Sequence, residues 1–254
     1  MSDVVLTEFT DGVAVITINR PTARNAVDRA VAEGLAAAVD ELDSRDDLVV
    51  GIVTGAGGTF CAGMDLKAFV RGEFPAIEGR GFAGITQRPP VKPLIAAVEG
   101  YALAGGLEIA LACDLVVAAT DAQFGIPEVK RGLVAAGGGV LRLPVRLPYH
   151  VAMELALTGN FLDAARGHHF GFVNRLASPG QALTAARELA AEIAANGPLA
   201  VRATKKVIVE SADWPAAEAW DRQQAITGPV FSSADAREGA QAFAEKRPPR
   251  WRGE

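Results

Sequence analysis

Short β-branched apolar runs alternate with longer stretches of helical spacing along most of this chain, and that alternation confines it to the α/β class. Val13–Ile18 reads as a strand closed by the turn signal Asn19-Arg20-Pro21, and Ala26–Leu42 then carries apolar residues at helical intervals. Asp47–Val53 supplies a second strand, broken by the glycines of TGAGGTFCAG; Pro93–Val98 supplies a third and Leu115–Ala118 a fourth. His150–Leu157 and Ala182–Ala195 are helical in pattern, the latter favoured by its alanines. From Pro198 onward the strand signals fade, and helices are expected over Leu199–Glu210, Ala216–Ile226 and Ala234–Glu245. The expected organisation is therefore an α/β core over residues 1–197 and a helical region over 198–254, with no low-complexity linker between them. At 254 residues and 50% hydrophobic, the chain can bury about 70–75% of its extended surface, enough for one large core. Phe69–Arg88 is the least regular segment, readable as a wall over a pocket or as a surface insertion.

Several function classes have little support. The balance of 25 Lys and Arg against 30 Asp and Glu gives a net charge of −5 and no overall attraction to nucleic acid. Cys61 and Cys113 form no CxxC, and His168-His169 are adjacent with only His150 besides, so no metal site is expected. Gly55-Ala56-Gly57-Gly58 does not make GxGxxG, and neither a P-loop nor a GxSxG elbow is present. No basic-then-apolar leader opens the chain, and its longest apolar stretches carry Glu108 and Asp114; a reducing cytoplasm, with no membrane association, is the expected setting. The terminal RPPRWRG is basic but has one aromatic, and reads as a docking tail or a phosphate contact.

Two carboxylates stand out. Glu108 interrupts GGLEIALACDLVVAA and Glu128 sits in FGIPEVKRG, each in an otherwise apolar or glycine-rich setting. A buried ionised carboxylate costs several kcal/mol unless it is hydrogen-bonded or faces a wet cavity, and burial moves its pKa toward the range useful for proton transfer. A paired glutamate that only holds a core together is the alternative. Small residues in Cys61-Ala62-Gly63, after the second strand, and in Ala104-Gly105-Gly106, just before Glu108, let a ligand approach backbone amides. Convergence of the Ala62 and Gly105 N–H groups on one oxygen would stabilise an enolate-like charge; ordinary tight turns are the competing reading.

The segments NRPTARNAV, GTFCAGMDL, GYALAGGLEIALACDLVVAA, AQFGIPEVKRGLVAAGGG and LTGNFLDAARGHHFGFVNRL resemble, in order and spacing, the enoyl-CoA hydratase (crotonase) family over nearly the whole chain. The resemblance implies a spiral of repeated ββα units with C-terminal helices that contribute to assembly as a homotrimer or dimer of trimers. It implies an acyl-CoA thioester substrate, with no metal or separate cofactor. It places the oxyanion-hole amides at Ala62 and Gly105 and the hydratase carboxylates at Glu108 and Glu128, the first activating water and the second supplying the α-proton. Coenzyme A or substrate contacts are implied for Arg24, Ala62, Met64, Asp65, Leu66, Gly105, Phe243 and Lys246, with Asp65 chiefly organising its turn. Lys130 and Arg131 follow Glu128 where a short-chain hydratase is more apolar, and EVKRGLVAAGGG also resembles carnitinyl-CoA dehydratases. A quaternary ammonium would not seek those cations. An isomerase or decarboxylase of the same fold, or a non-catalytic acyl-CoA-binding protein, are the other readings.

Overall fold

The computed structural model describes residues 3–254. Its main sheet has six strands: β1 (Val5–Thr10), β2 (Val13–Ile18), β3 (Val50–Gly55), β6 (Leu94–Val98), β8 (Leu115–Ala119) and β11 (Arg175–Ala177), in that spatial order. β1 pairs antiparallel with β2 through a tight turn, and every later pairing in this sheet is parallel. A smaller sheet joins β7 (Tyr101–Leu103), β9 (Gln123–Gly125) and β10 (Leu162–Asp163), and β4 (Ala76–Ile77) pairs with β5 (Gly81–Phe82) as a short hairpin. The successions β6, β7, helix α3 (Gly105–Ala112) and β8, β9, 3-10 turn (Pro127–Arg131) are the repeated ββα rhythm.

Helix α1 (Arg29–Ser44) starts where the Asp28 carboxylate accepts the Val31 N–H at 3.0 Å. Its Val31, Leu35, Val39 and Leu42 face the same core as Ala14, Ile16 and Ile18 of β2 and Leu107 and Ile109 of α3. The intervening residues of the sheet, Val13, Val15, Ile52, Ile95 and Val117, point the other way, onto Ala186 and Ala190 of α7 (Ala182–Ala194). Burying each such aliphatic side chain stabilises the fold by about 1.5–3 kcal/mol. Glu99, at the β6–β7 turn, accepts the N–H groups of Gly180 and Ala182 at 3.0 and 2.8 Å and so caps α7.

The other helices are α2 (Leu66–Val70), α4 (Gly139–Arg146), α5 (Tyr149–Thr158), α6 (Ala164–His169), α8 (Pro198–Glu210), α9 (Ala219–Phe231) and α10 (Ala234–Glu245). Lys205 of α8 reaches back to Asp114 at 2.6 Å and to the carbonyls of Pro90 and Lys92, tying the helical end of the chain to the sheet. The basic tail docks on the protein itself: Trp251 Nε1 donates to the Ala195 carbonyl at 2.8 Å, and Asp235 accepts the N–H groups of Arg252 and Gly253. No helix among the described residues is long and apolar enough to cross a membrane.

The expected strands and helices lie where the periodicity placed them, with ends shifted by a few residues; β1, β11, the β4–β5 hairpin, the small sheet and the short helices α2 and α6 are additions. The irregular segment is no solvated insertion through its second half. Ala83, Ile85 and Thr86 are fully buried, and Arg80 anchors the hairpin to α1 through the Ala36 carbonyl at 3.1 Å and the Asp40 carboxylate.

Candidate active site

Glu108 lies in the first turn of α3, every residue of which is buried, and is itself only 3% exposed. One of its oxygens, Oε1, accepts the Gly139 N–H at 2.8 Å. That amide belongs to the first turn of α4, where N–H groups have no partner inside the helix and the dipole favours an anion. Burial moves the Glu108 carboxyl above its ordinary pKa, while the N–H groups of Gly139 and Gly137 and the Arg142 guanidinium pull it back down. Gly137 and Gly139 have to be small here: a Cβ at Gly137 would fall 2.9 Å from Glu108 Cδ, and one at Gly139 would fall 3.0 Å from Oε1.

Glu128 occupies the 3-10 turn Pro127–Arg131, opened by a proline and closed by Gly132 in the left-handed region at φ 68°. Its Oε2 is buried without a hydrogen-bond partner among the described residues. Burial pushes its carboxyl up to about 7; its own N–H opposes the rise, the nearby Glu108 charge adds to it, and Arg131 opposes it. The two carboxylates, twenty positions apart in sequence, are thus close enough to couple, one held by backbone donors and the other free to carry a proton.

The amide donors differ from expectation at one position. The Ala62 N–H donates to the Arg24 carbonyl at 3.0 Å and is not free to meet a ligand oxygen. Its neighbours are equally occupied: Phe60 donates to Glu99, Cys61 to Tyr101, Gly63 to the Cys61 sulfur and Asp65 to Val27. Met64 is the residue in this run whose N–H has no acceptor among the described residues, because the parallel bridge pairing Met64 with Val27 is made by the Gly63 carbonyl, which accepts the Val27 N–H, and by the Asp65 N–H, which donates to the Val27 carbonyl. Gly105, at the start of α3, also has no acceptor for its N–H among the described residues. The two are neighbours, since a Cβ built on Gly63 would lie 3.0 Å from the Gly105 nitrogen. The donor pair the structure offers is therefore Met64 and Gly105. Ala104 presents Gly105 from a positive φ of 52°, a conformation rare for a residue with a side chain.

The remaining expected residues divide. Asp65 organises its turn, accepting the Lys67 and Ala68 N–H groups at 3.0 and 3.1 Å and Arg20 at 3.0 Å. Leu66 and Arg24 are exposed beside that turn. Phe243 is 88% exposed near the end of α10, which packs on α9, and Lys246 caps the same helix in the left-handed region. This chain by itself does not gather them with α3, which packs on β7, α4 and β6. Lys130 turns to Asn160 Oδ1 at 3.1 Å on the surface. Phe82, whose ring covers Gly105, and Arg142 are absent from the expected set, because both sit in segments whose only sequence signal is irregularity or glycine content.

Comparison with known proteins establishes the family. The sequence profile of the enoyl-CoA hydratase/isomerase family matches residues 8–254. Enoyl-CoA hydratase EchA19 of Mycobacterium tuberculosis is 45% identical over 244 residues, 92% of this chain and 91% of that protein. A carnitinyl-CoA dehydratase of Salmonella enteritidis is 43% identical over 248 residues, 94% of each. The crystal structure of an enoyl-CoA hydratase from Mycobacterium tuberculosis superimposes with a TM-score of 0.98 at 62% identity, covering 100% of both chains. On the profile match and these relatives, the chain belongs to the enoyl-CoA hydratase/isomerase (crotonase) family of enzymes.

Proposed function

We propose that the protein is an enoyl-CoA hydratase, adding water reversibly across the double bond of a 2-enoyl-CoA thioester. The observation that carries this reading is the unequal pair of carboxylates, Glu108 held by the Gly139 N–H and Glu128 partnerless among the described residues and raised to about 7, with the free Gly105 N–H in the same helical turn as Glu108. The Met64 and Gly105 N–H groups hold the thioester oxygen and stabilise the negative charge it gains, each donor contributing about 3–4 kcal/mol to barrier lowering. The β-carbon is then electrophilic. Ionised Glu108 removes a proton from water as the water oxygen bonds to the β-carbon, the double-bond electrons move toward the thioester oxygen, and protonated Glu128 delivers its proton to the α-carbon. Glu108 ends protonated and Glu128 ionised, and one proton passes between them, or through solvent, to reset the pair. Dehydration runs the same steps backward.

Glu108→Gln and Glu128→Gln each lower hydration by at least about 10²-fold without unfolding the protein, as loss of a positioned acid or base requires. Turnover near wild type in either folded variant overturns the mechanism. A panel of crotonyl, longer enoyl and crotonobetainyl thioesters with products identified by mass separates this reading from its neighbours. Dehydration of a carnitinyl thioester is the second reading, supported by the 43% identical relative. Double-bond migration or loss of carbon dioxide would mark an isomerase or decarboxylase, and binding without turnover a non-catalytic protein.

We also propose assembly as a trimer or a dimer of trimers, with coenzyme A contacts from Arg24, Phe243 and Lys246. Trp220, Phe231 and Ile208 are 78%, 82% and 68% exposed on α8 and α9, more large apolar surface than an isolated chain usually leaves uncovered. Sedimentation should give three or six chains of 26.4 kDa; a stable monomer at micromolar concentration removes the proposal.

A further inference from the structure

Arg142 stands three residues beyond Gly139, on the edge of α4 that the Gly139 N–H shares with Glu108. Its guanidinium donates to the Thr86 carbonyl at 2.6 Å and fills the space that a Cβ on Gly138 would take, so it spans the Gly137–Gly139 turn and the buried segment behind the β5 hairpin. It forms no ion pair with Glu108 within 4.0 Å among the described residues, which leaves the carboxylate's second oxygen free of a cationic clamp. A guanidinium does not titrate at neutral pH, so this is a fixed positive charge beside the proposed base.

We propose that Arg142 is a positioning residue for the hydration reaction: it locks the turn whose amide holds Glu108 and biases the carboxylate pair so that Glu108 carries the negative charge while Glu128 keeps the proton. The proposal rests on the hydratase reading and deepens it. Two neighbouring carboxylates sharing one proton do not by themselves choose which is base and which is acid. The charged and titratable groups around Glu108 are few. Glu128 faces it from the 3-10 turn and Arg142 from α4; Arg131 bears on Glu128, and Arg146 and the neutral thiol of Cys113 bear on Arg142. Arg142 lowers the proton affinity of Glu108, as Arg131 does that of Glu128, but only the Glu108 side is braced: its cation is anchored on the Thr86 carbonyl beside the turn whose Gly139 N–H holds the carboxylate, whereas Glu128 Oε2 has no hydrogen-bond partner among the described residues. The backbone donors and the Arg142 charge together favour ionised Glu108, in the direction hydration needs.

The test compares Arg142→Met, Arg142→Gln and Arg142→Lys in the full chain, following kcat/KM for crotonyl-CoA hydration from pH 5 to 9 with thermal unfolding alongside. Removing the cation raises the pH at which Glu108 ionises, so in the Met and Gln variants the acid limb should move up by about 1 pH unit and the optimum should fall roughly 10-fold. The Lys variant should keep the acid limb while losing rate at every pH, because it retains charge without the reach to Thr86. A merely structural residue would change stability or amplitude and leave the limb in place. An infrared carboxylate titration, with the Glu108→Gln variant identifying the band, reads the same shift without turnover, so it decides the matter even where the hydratase reading fails. An unmoved acid limb or band in a folded Met or Gln variant overturns the proposal. If neither folds, a Lys variant whose limb shifts despite its charge does so equally.

Discussion

Gly137→Ala separates the positioning of Glu108 from the stability of the fold. The alanine Cβ would sit 2.9 Å from Glu108 Cδ and 3.0 Å from Phe82 Cβ. Carbon atoms pack at about 3.5–4.0 Å, so the carboxylate has to retreat by roughly 0.6–1 Å. The Gly139 N–H at 2.8 Å opposes that retreat, and the displaced oxygen no longer points where water is activated. Misplacement by about 1 Å costs on the order of 10²-fold in rate. The backbone is not the obstacle, since Gly137 is absent from the positive-φ residues, and alanine restricts the unfolded chain by about 0.4–1 kcal/mol in favour of folding. Steady-state hydration should therefore show kcat down about 10²-fold with KM changed by less than about 3-fold, since the proposed coenzyme contacts at Arg24, Phe243 and Lys246 lie elsewhere. Calorimetry should show a Tm within about 2–4 °C of wild type, the scale of a 1 kcal/mol change in a chain of this size. Gly106→Ala is the contrast: its Cβ would strike the backbone of Cys61, with the carbonyl carbon 2.8 Å away, so it should lose stability first. Wild-type turnover in folded Gly137→Ala, or an activity loss matched by collapse of the Tm, refutes the reasoning.

The pH profile carries a second prediction. Glu128 donates only while protonated, so kcat/KM for hydration should fall as pH rises through about 7, where burial has moved its carboxyl; a rate still climbing at pH 9 contradicts that assignment. The same shift works against stability at high pH. A carboxyl raised above its unfolded value resists ionisation in the fold, so the Tm should decline between about pH 4.5 and 7, and Glu128→Gln should flatten that decline. Phe243→Ala and Lys246→Ala should weaken coenzyme A binding by isothermal calorimetry with a smaller loss of rate at saturating substrate; unchanged affinity in both removes them from the site.

Four strands of the main sheet, β2, β3, β6 and β8, were legible as buried apolar runs, and α1 because Val31, Leu35, Val39 and Leu42 keep helical spacing; β1 is largely exposed and polar, and β11 has only three residues. The small sheet was not, since β7, β9 and β10 span two or three residues each, too short for any period to register. The glutamates were legible as charges in apolar surroundings. The choice between Ala62 and Met64 was not, because it depends on the parity of a bridge to Val27, and parity is set by a partner the local sequence does not contain. Arg142 was hidden for a related reason. An arginine on a half-exposed helix looks like any solvated cation until Thr86, far back in the chain, is seen to accept from it.

The bridges joining Met64 to Val27 and Cys61 to Ala102 have a consequence for biosynthesis. Neither free amide exists as a positioned donor in any short fragment, and Glu108 gains its backbone partner only when Gly139 has been made and α4 has docked. A nascent chain ending before that point has the residues of the site without the site. Such non-local contacts form late, after the loop-closure entropy separating them has been overcome. A thioester therefore cannot template early folding; it recognises the finished molecule alone. Bound at a hundred times its Kd, it would deepen the native well by about 2.7 kcal/mol while leaving every partly folded precursor unaided.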